Sequence, residues 1–86
     1  MEQVIIFGAG PIGRDTAELL KRNYKVLFFC DNHTKLQGTT VDGIPVLSPA
    51  EISSINYDAI FICTTSAMDE VFNQLLDLGV KRSSIS

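Results

Sequence analysis

Residues 4–14 read VIIFGAGPIGR: four apolar residues, then Gly8-x-Gly10-x-x-Gly13, then the opening of a helical pattern. A continuous apolar run suits a strand buried on both faces, as in a parallel sheet. Pro11 suits the first turn of a helix, where its missing N–H costs nothing. In a turn of this spacing the first glycine permits a sharp exit from the strand. The second lets a ligand approach the backbone, and the third lets the helix pack close to the strand. The helix amino terminus then offers free N–H groups and a favourable dipole to an anion, such as the pyrophosphate of a dinucleotide. A tight turn that binds nothing needs the same glycines, so the rest of the chain must decide.

The helix is expected from Pro11 to about Asn23, with Ile12, Thr16, Leu19 and Leu20 at helical spacing and Lys21 and Arg22 in its last turn. A second apolar strand, KVLFFC at 25–30, ends at Asp31-Asn32. Residues 32–44 hold most of the turn signals and read as an irregular loop, with a tight turn at Asp42-Gly43. Ile44 to Leu47 is a short extended piece that Pro45 restricts to a sheet edge. Ser48-Pro49-Ala50-Glu51 reads as a helix cap, predicting a short helix from Pro49 to about Ser53. A third long strand runs from Asp58 to Cys63, and Ser66-Ala67-Met68-Asp69 is a second cap pattern. Met68, Val71, Phe72, Leu75 and Leu76 then form an apolar helix stripe, read as core, closed by Gly79. Ser83 to Ser86 reads as the start of another strand.

Strands alternating with helices imply an α/β fold with an open parallel sheet and right-handed crossovers. The expected strand order is the short edge piece, the second strand, the first strand, the 58–63 strand, and last the terminal strand. Winding reverses beside the first strand, and ligands in such sheets bind at that switch point, outside the carboxyl ends of the strands.

Asp31 lies 18 residues after Gly13, close to the offset at which an acid meets a ribose 2′-hydroxyl. A carboxylate there accepts from the hydroxyl and repels a 2′-phosphate, which favours NAD over NADP; a plain turn residue is the alternative. Lys35 and His33 would oppose that preference if their loop folded back. The candidate nucleotide-binding residues are Gly8, Ala9, Gly10, Pro11, Ile12, Gly13, Arg14, Asp31, Asn32, Thr64 and Thr65. Arg14 would add a charge-assisted contact to phosphate, or stand solvated in the first turn. Thr64 and Thr65 face the glycine turn across the crevice, and Ser66 serves either as cap or as ligand. His33, the one histidine, reads as an exposed loop residue, and no catalytic or metal-binding set is identified.

Composition narrows the classes further. With 86 residues and 45% hydrophobic content, the chain supports one core and one domain, residues 1–86. So short a domain buries a smaller share of its surface, which favours self-association or further chain. A net charge of -3 without a basic run argues against nucleic acid. No apolar run reaches the roughly 18 residues that span a membrane, and no signal-peptide pattern is seen, so a cytoplasmic location is expected. Cys30 and Cys63 end strands on opposite sides of the first strand, about 10 Å apart. That exceeds the roughly 7 Å a disulfide spans, so two buried thiols are expected.

The stretch 30–52, CDNHTKLQGTTVDGIPVLSPAEI, carries a resemblance. A strand ending in Asp31-Asn32, a glycine at Gly38, Gly-Ile-Pro-Val at 43–46 and Ser-Pro-x-Glu at 48–51 resemble the Rossmann-like domain of bacterial polysaccharide and nucleotide-sugar biosynthesis proteins. The glycine turn and the Asp58 strand fall in register with it. That superfamily includes sugar-nucleotide dehydratases and epimerases and the amino-terminal domain of sugar acyltransferases. It extends to domains appended to glycosyltransferases and methyltransferases, and is similar to CoA-binding and NADH-sensing domains. The resemblance implies a half-size, three-layer Rossmann-like sheet in which Gly8, Gly10, Gly13 and Asp31 contact a nucleotide or nucleotide-sugar. The acyltransferase version carries Ser-Gly-His where this chain has Ala9-Gly10-Pro11, and the Tyr-x-x-x-Lys pair of short-chain dehydrogenases and epimerases is absent.

The expected function is nucleotide binding, NAD preferred, as a domain of a longer protein rather than a complete enzyme. The competing readings are a UDP-sugar or CoA module without redox role, and an oligomerising domain that binds nothing.

Overall fold

The computed structural model describes residues 1–64 and 67–86. Its first strand, β1 (Glu2–Phe7), is buried from Val4 onward and leads through the glycine turn into α1 (Pro11–Leu20). The chain returns through β2 (Tyr24–Cys30), then β3 (Thr40–Val41) and β4 (Ile44–Leu47). A 3-10 helix at Pro49–Ser54 leads to β5 (Ala59–Ile62) and α2 (Met68–Asp77).

The sheet order is β3-β4-β2-β1-β5. β1 pairs in parallel with β2 and β5, and β4 in parallel with β2, as the apolar runs predict. Val4 pairs with Val26 but Ile5 with Phe28, so β2 carries one extra residue, Leu27, at that step. The terminal segment forms a 3-10 turn, Arg82–Ser84, and one parallel bridge from Ile85 to Ile60, less than the strand expected there.

The largest departure from expectation is β3. The 32–44 segment is not wholly irregular: Thr40 and Val41 pair antiparallel with Pro45 and Ile44. Asp42 and Gly43 turn between them at φ 52 and 81, the positive values a two-residue hairpin turn of type I′ takes. Pro45 therefore lies in β4, one strand in from the edge. The sheet tolerates it because the β2–β4 ladder begins only at Phe29 and Val46. On the other side of β4, Val46 donates to the Thr39 carbonyl (2.8 Å) and accepts from Gly38 (2.9 Å).

Two apolar layers flank the sheet. α1 covers Ile6, Phe29 and Val46 on one face, while α2 and the 3-10 helix cover Ile5, Phe7, Cys30 and Ile60 on the other. The fully buried residues of α1 are Gly13 and Ala17, and the expected stripe holds only in part: Leu20 packs against the core and Thr16 is half-buried, but Ile12 is 48% and Leu19 66% exposed. Small residues face the sheet because the helix lies close to it. α1 ends at Leu20, so Lys21 and Arg22 fall just past its last turn.

In α2, Val71 and Leu75 are buried but Met68 is exposed, so the stripe is core only in its middle. Gly79, at φ 92, ends the helix. Its N–H reaches the Leu76 carbonyl and that of Val80 the Leu75 carbonyl, both at 3.0 Å, which is a Schellman motif. α2 begins at Met68 with Ala67 at its cap position, and Ser66 lies outside the described residues. The 49–54 helix is of the tighter 3-10 kind, and its Ser48 hydroxyl bonds the Glu51 carboxylate (3.0 Å) instead of a backbone N–H. Among the described residues no helix is long and apolar enough to cross a membrane.

Two leucines test this packing. Leu75→Ala empties a fully buried site and is expected to cost about 2–5 kcal/mol in urea unfolding. Leu19→Ala, on the outer face of α1, is expected to cost under about 0.5 kcal/mol. Equal losses would mean that α1 buries the other stripe.

Candidate functional site: the glycine turn and Asp31

The site forms where β1, β2 and β5 end. The Gly8 N–H donates to the Cys30 carbonyl (2.7 Å) and the Cys63 N–H to the Phe7 carbonyl (2.8 Å), so the turn is tied to both neighbours of β1. Gly8 has φ 120, and a Cβ there would stand 2.6 Å from the Cys63 carbonyl oxygen. A Cβ on Gly13 would overlap the Gly8 carbonyl. These two glycines are demanded by the fold itself. Gly10 is different. Its φ of -83 is ordinary, and a Cβ there would meet nothing within 4 Å.

Asp31 binds the turn from the other side. One carboxylate oxygen accepts from the Ala9 N–H (2.9 Å) and the other from the His33 N–H (2.8 Å). Its backbone is held by the Leu47 carbonyl (3.2 Å) and by the Gln37 side chain (2.9 Å). A carboxylate has about four acceptor positions, so each oxygen keeps capacity for a further donor.

Gly8, Gly10, Pro11, Ile12, Asp31, Cys63 and Thr64 line a crevice of about 270 Å³. The Thr64 hydroxyl oxygen is buried and has no partner among the described residues, a condition that normally signals a missing donor or acceptor. A larger apolar groove of about 630 Å³ runs along the β5 edge between Phe61, Met68, Phe72 and Ile85. The crevice is smaller, but it gathers a helix amino terminus, a carboxylate and an orphan hydroxyl.

Other expected site residues lie differently. Ala9 is buried and contributes its N–H to Asp31. Gly13 is buried on the inward face of α1 and does not line the crevice. Arg14 turns to Asp42 in the β3–β4 turn, with two contacts of 3.3 Å, which the expectation of a phosphate contact missed. The Asn32 carboxamide pairs with that of Gln74 on α2. His33 and Lys35 are exposed. Thr65 lies outside the described residues. Cys63 lines the crevice although only a core thiol was expected there.

Both thiols are free. Burial pushes the Cys30 thiol up to about 12, with help from the charges of Asp31 and Glu51. Burial also raises Cys63, against a hydrogen bond with Thr16 that lowers it.

The fold and this turn define a class: an α/β domain of Rossmann type with its glycine turn at the switch point of the sheet. A family model described as C2185-like, N-terminal, matches residues 1–86, and the chain belongs to that family. No protein of curated function matches the sequence. Among solved structures, UDP-D-quinovosamine 4-dehydrogenase from Vibrio fischeri is similar, with a TM-score of 0.78 at 21% identity over 93% of this chain and 74% of that one. The Rex-family repressor RSP in complex with β-NADH is similar at TM-score 0.71 and 18% identity, over 94% of this chain and 43% of that one. The same repressor with β-NAD+ and operator DNA gives 0.69 at 19% identity, over 94% of this chain and 41% of that one. This chain thus spans less than half the repressor's length. At these identities the likeness is one of fold.

Two predictions follow from the geometry. Gly13→Ala forces α1 off the turn and is expected to lower stability by about 3 kcal/mol or more, whereas Gly10→Ala leaves the melting temperature unchanged. Thermal melts of both variants check this. For the thiols, the unfolded chain begins to release the Cys30 proton near the ordinary 9.0, while the folded chain holds it to about 12. Stability therefore falls as pH rises between those values. Urea unfolding at pH 8 and 10.5 should show the fall, and Cys30→Ala should reduce it.

Proposed function

We propose that the chain is a dinucleotide-binding domain, NAD preferred, belonging to a longer protein of nucleotide-sugar or polysaccharide biosynthesis. The observation that carries this reading is the division among the glycines. Packing accounts for Gly8 and Gly13, but it makes no demand for glycine at Gly10, which lines the crevice where a diphosphate would meet the helix amino terminus. The unpartnered Thr64 hydroxyl on the opposite wall supports it.

In this reading the first-turn N–H groups of Ile12 and Gly13, which have no intrahelical acceptor, bind the diphosphate. Asp31 accepts from the adenosine ribose with the capacity that Ala9 and His33 leave free. Thr64 bonds phosphate or the second ribose. Bound NAD would supply hydride chemistry, and this chain would supply its binding and orientation. The titratable groups on the described crevice wall are Asp31 and Cys63. Asp31 already accepts from two amides and burial raises the Cys63 thiol, which favours a binding role over a catalytic one.

The likeness to a UDP-D-quinovosamine dehydrogenase and to a repressor seen with NADH supports the nucleotide class, and the 30–52 pattern supports the sugar-nucleotide setting. The operator DNA belongs to that repressor; a net charge of -3 here argues for a small-molecule partner. The second reading is a UDP-sugar or CoA module. It is favoured by the crevice itself, because Gly10 and Thr64 serve any diphosphate.

Titration of the purified chain with NADH, followed by fluorescence, is expected to saturate. Asp31→Ala should weaken NADH by about tenfold or more, the worth of hydrogen bonds to a charged group, and NADPH by less. Saturation with a UDP-sugar or CoA but not with NADH would establish the second reading. No saturation with any of them up to millimolar ligand would leave a domain that only oligomerises.

A further inference from the structure

We propose that Gln74 is a positioning residue for Asp31, acting through a carboxamide clasp with Asn32. The inference rests on the nucleotide reading above. Asn32 Nδ2 donates to Gln74 Oε1 (2.9 Å), and Gln74 Nε2 donates to Asn32 Oδ1 (2.8 Å). The two residues are 42 positions apart and belong to opposite halves of the winding. Asn32 follows Asp31 at the end of β2, on the wall that carries the carboxylate. Gln74 is on α2, which follows Thr64 in the chain, on the wall that carries the orphan hydroxyl.

A reciprocal amide pair has a defined geometry. Each partner gives one N–H and one oxygen lone pair, so a shift of either backbone breaks both bonds together. Gln74 itself is fixed, because its neighbours on the helix are set in the core: Val71 is 2% and Leu75 0% exposed. The segment 31–33 is otherwise held by the Ala9 N–H on the Asp31 carboxylate, the Leu47 carbonyl, the Gln37 side chain, the internal bond from His33 to Asp31, and the Leu36 and Gln37 N–H groups on the His33 carbonyl. Among the described residues, none of those tethers reaches α2. The Asn32–Gln74 pair is the tether in the hydrogen-bond network that reaches across to α2, and it therefore sets Asp31 relative to the far wall of the crevice. The crevice width and the aim of the carboxylate are set together.

Neither side chain need touch the ligand for this role, which gives a test that separates positioning from contact. The two bonds are solvent-exposed, so Gln74→Ala in the 86-residue chain is expected to weaken NADH by about threefold, the worth of one modest hydrogen bond. Without ligand, it should speed hydrogen exchange of the His33 amide several-fold. Asn32→Gln alone and Gln74→Asn alone make the pair too long and too short, and both should weaken binding. The exchanged pair Asn32→Gln with Gln74→Asn restores the summed length and is expected to recover most of the affinity and the slow exchange. Normal NADH binding by Gln74→Ala overturns the inference, as does weakened binding that the exchanged pair fails to rescue. Faster exchange at unchanged affinity also overturns it, leaving the clasp a structural contact alone. A wild-type chain that binds no NADH is a different result: it removes the nucleotide reading and this inference with it.

Discussion

The structure depends on the contact between Gly13 and the carbonyl of Gly8. A single methyl group at Gly13 would occupy the place of that oxygen. The close approach fixes how far α1 stands from β1, and the helix surface follows from that distance. Only Gly13 and Ala17 fit fully beneath it, so Ile12 and Leu19 are turned outward. The same approach brings the start of the helix over the ends of β1 and β5, where Ile12 joins the crevice wall. Packing of one glycine thus places the anion-seeking end of the helix.

Asp31 is the second constraint, and it works across elements rather than within one. Its carboxylate ties the glycine turn, through Ala9, to the loop that follows β2, through His33. Hydrogen bonds to an ionised acceptor are roughly twice as strong as neutral ones. The carboxylate is therefore held in place by the fold itself, and such preorganisation would lower the ordering cost of the proposed binding. Its charge also bears on the next residue inward. Cys30 is enclosed by the core, and the adjacent negative charge adds to the effect of burial in holding its thiol protonated.

Much of the framework is legible in the sequence for local reasons. β1, β2 and β5 are apolar runs, Pro11 begins a helix, and Gly79 ends one in a motif whose bonds all lie within a few residues. The β3–β4 hairpin was legible too. Asp42-Gly43 between Thr40-Val41 and Ile44 is a strong hairpin signal, but the strand is two residues long and Pro45 argued for an edge. What was hidden depends on distance along the chain. Arg14 finds Asp42 across 28 positions and Asn32 finds Gln74 across 42. No spacing rule reaches so far. The inward face of α1 is only partly legible for a related reason: hydropathy finds Leu20, which packs on the core, but also selects Ile12 and Leu19, whereas the separation of helix and sheet admits Gly13 and Ala17.

This difference divides the site into two kinds of recognition. Whatever binds phosphate here does so through backbone N–H groups at a helix start, and a backbone is encoded by glycines and a proline close together in sequence. A site of that kind would accept any diphosphate. In the proposed reading, discrimination between nucleotides would fall to side chains, chiefly Asp31, whose carboxylate is held by the Ala9 and His33 N–H groups and whose backbone is held by Leu47 and Gln37. On the proposed clasp, a relative that kept the Gly8–Gly13 motif would lose selectivity through a change at position 74. In that reading the glycine motif would report the chemistry of the ligand's middle, and the long-range contacts of the β2 terminus would decide its ends.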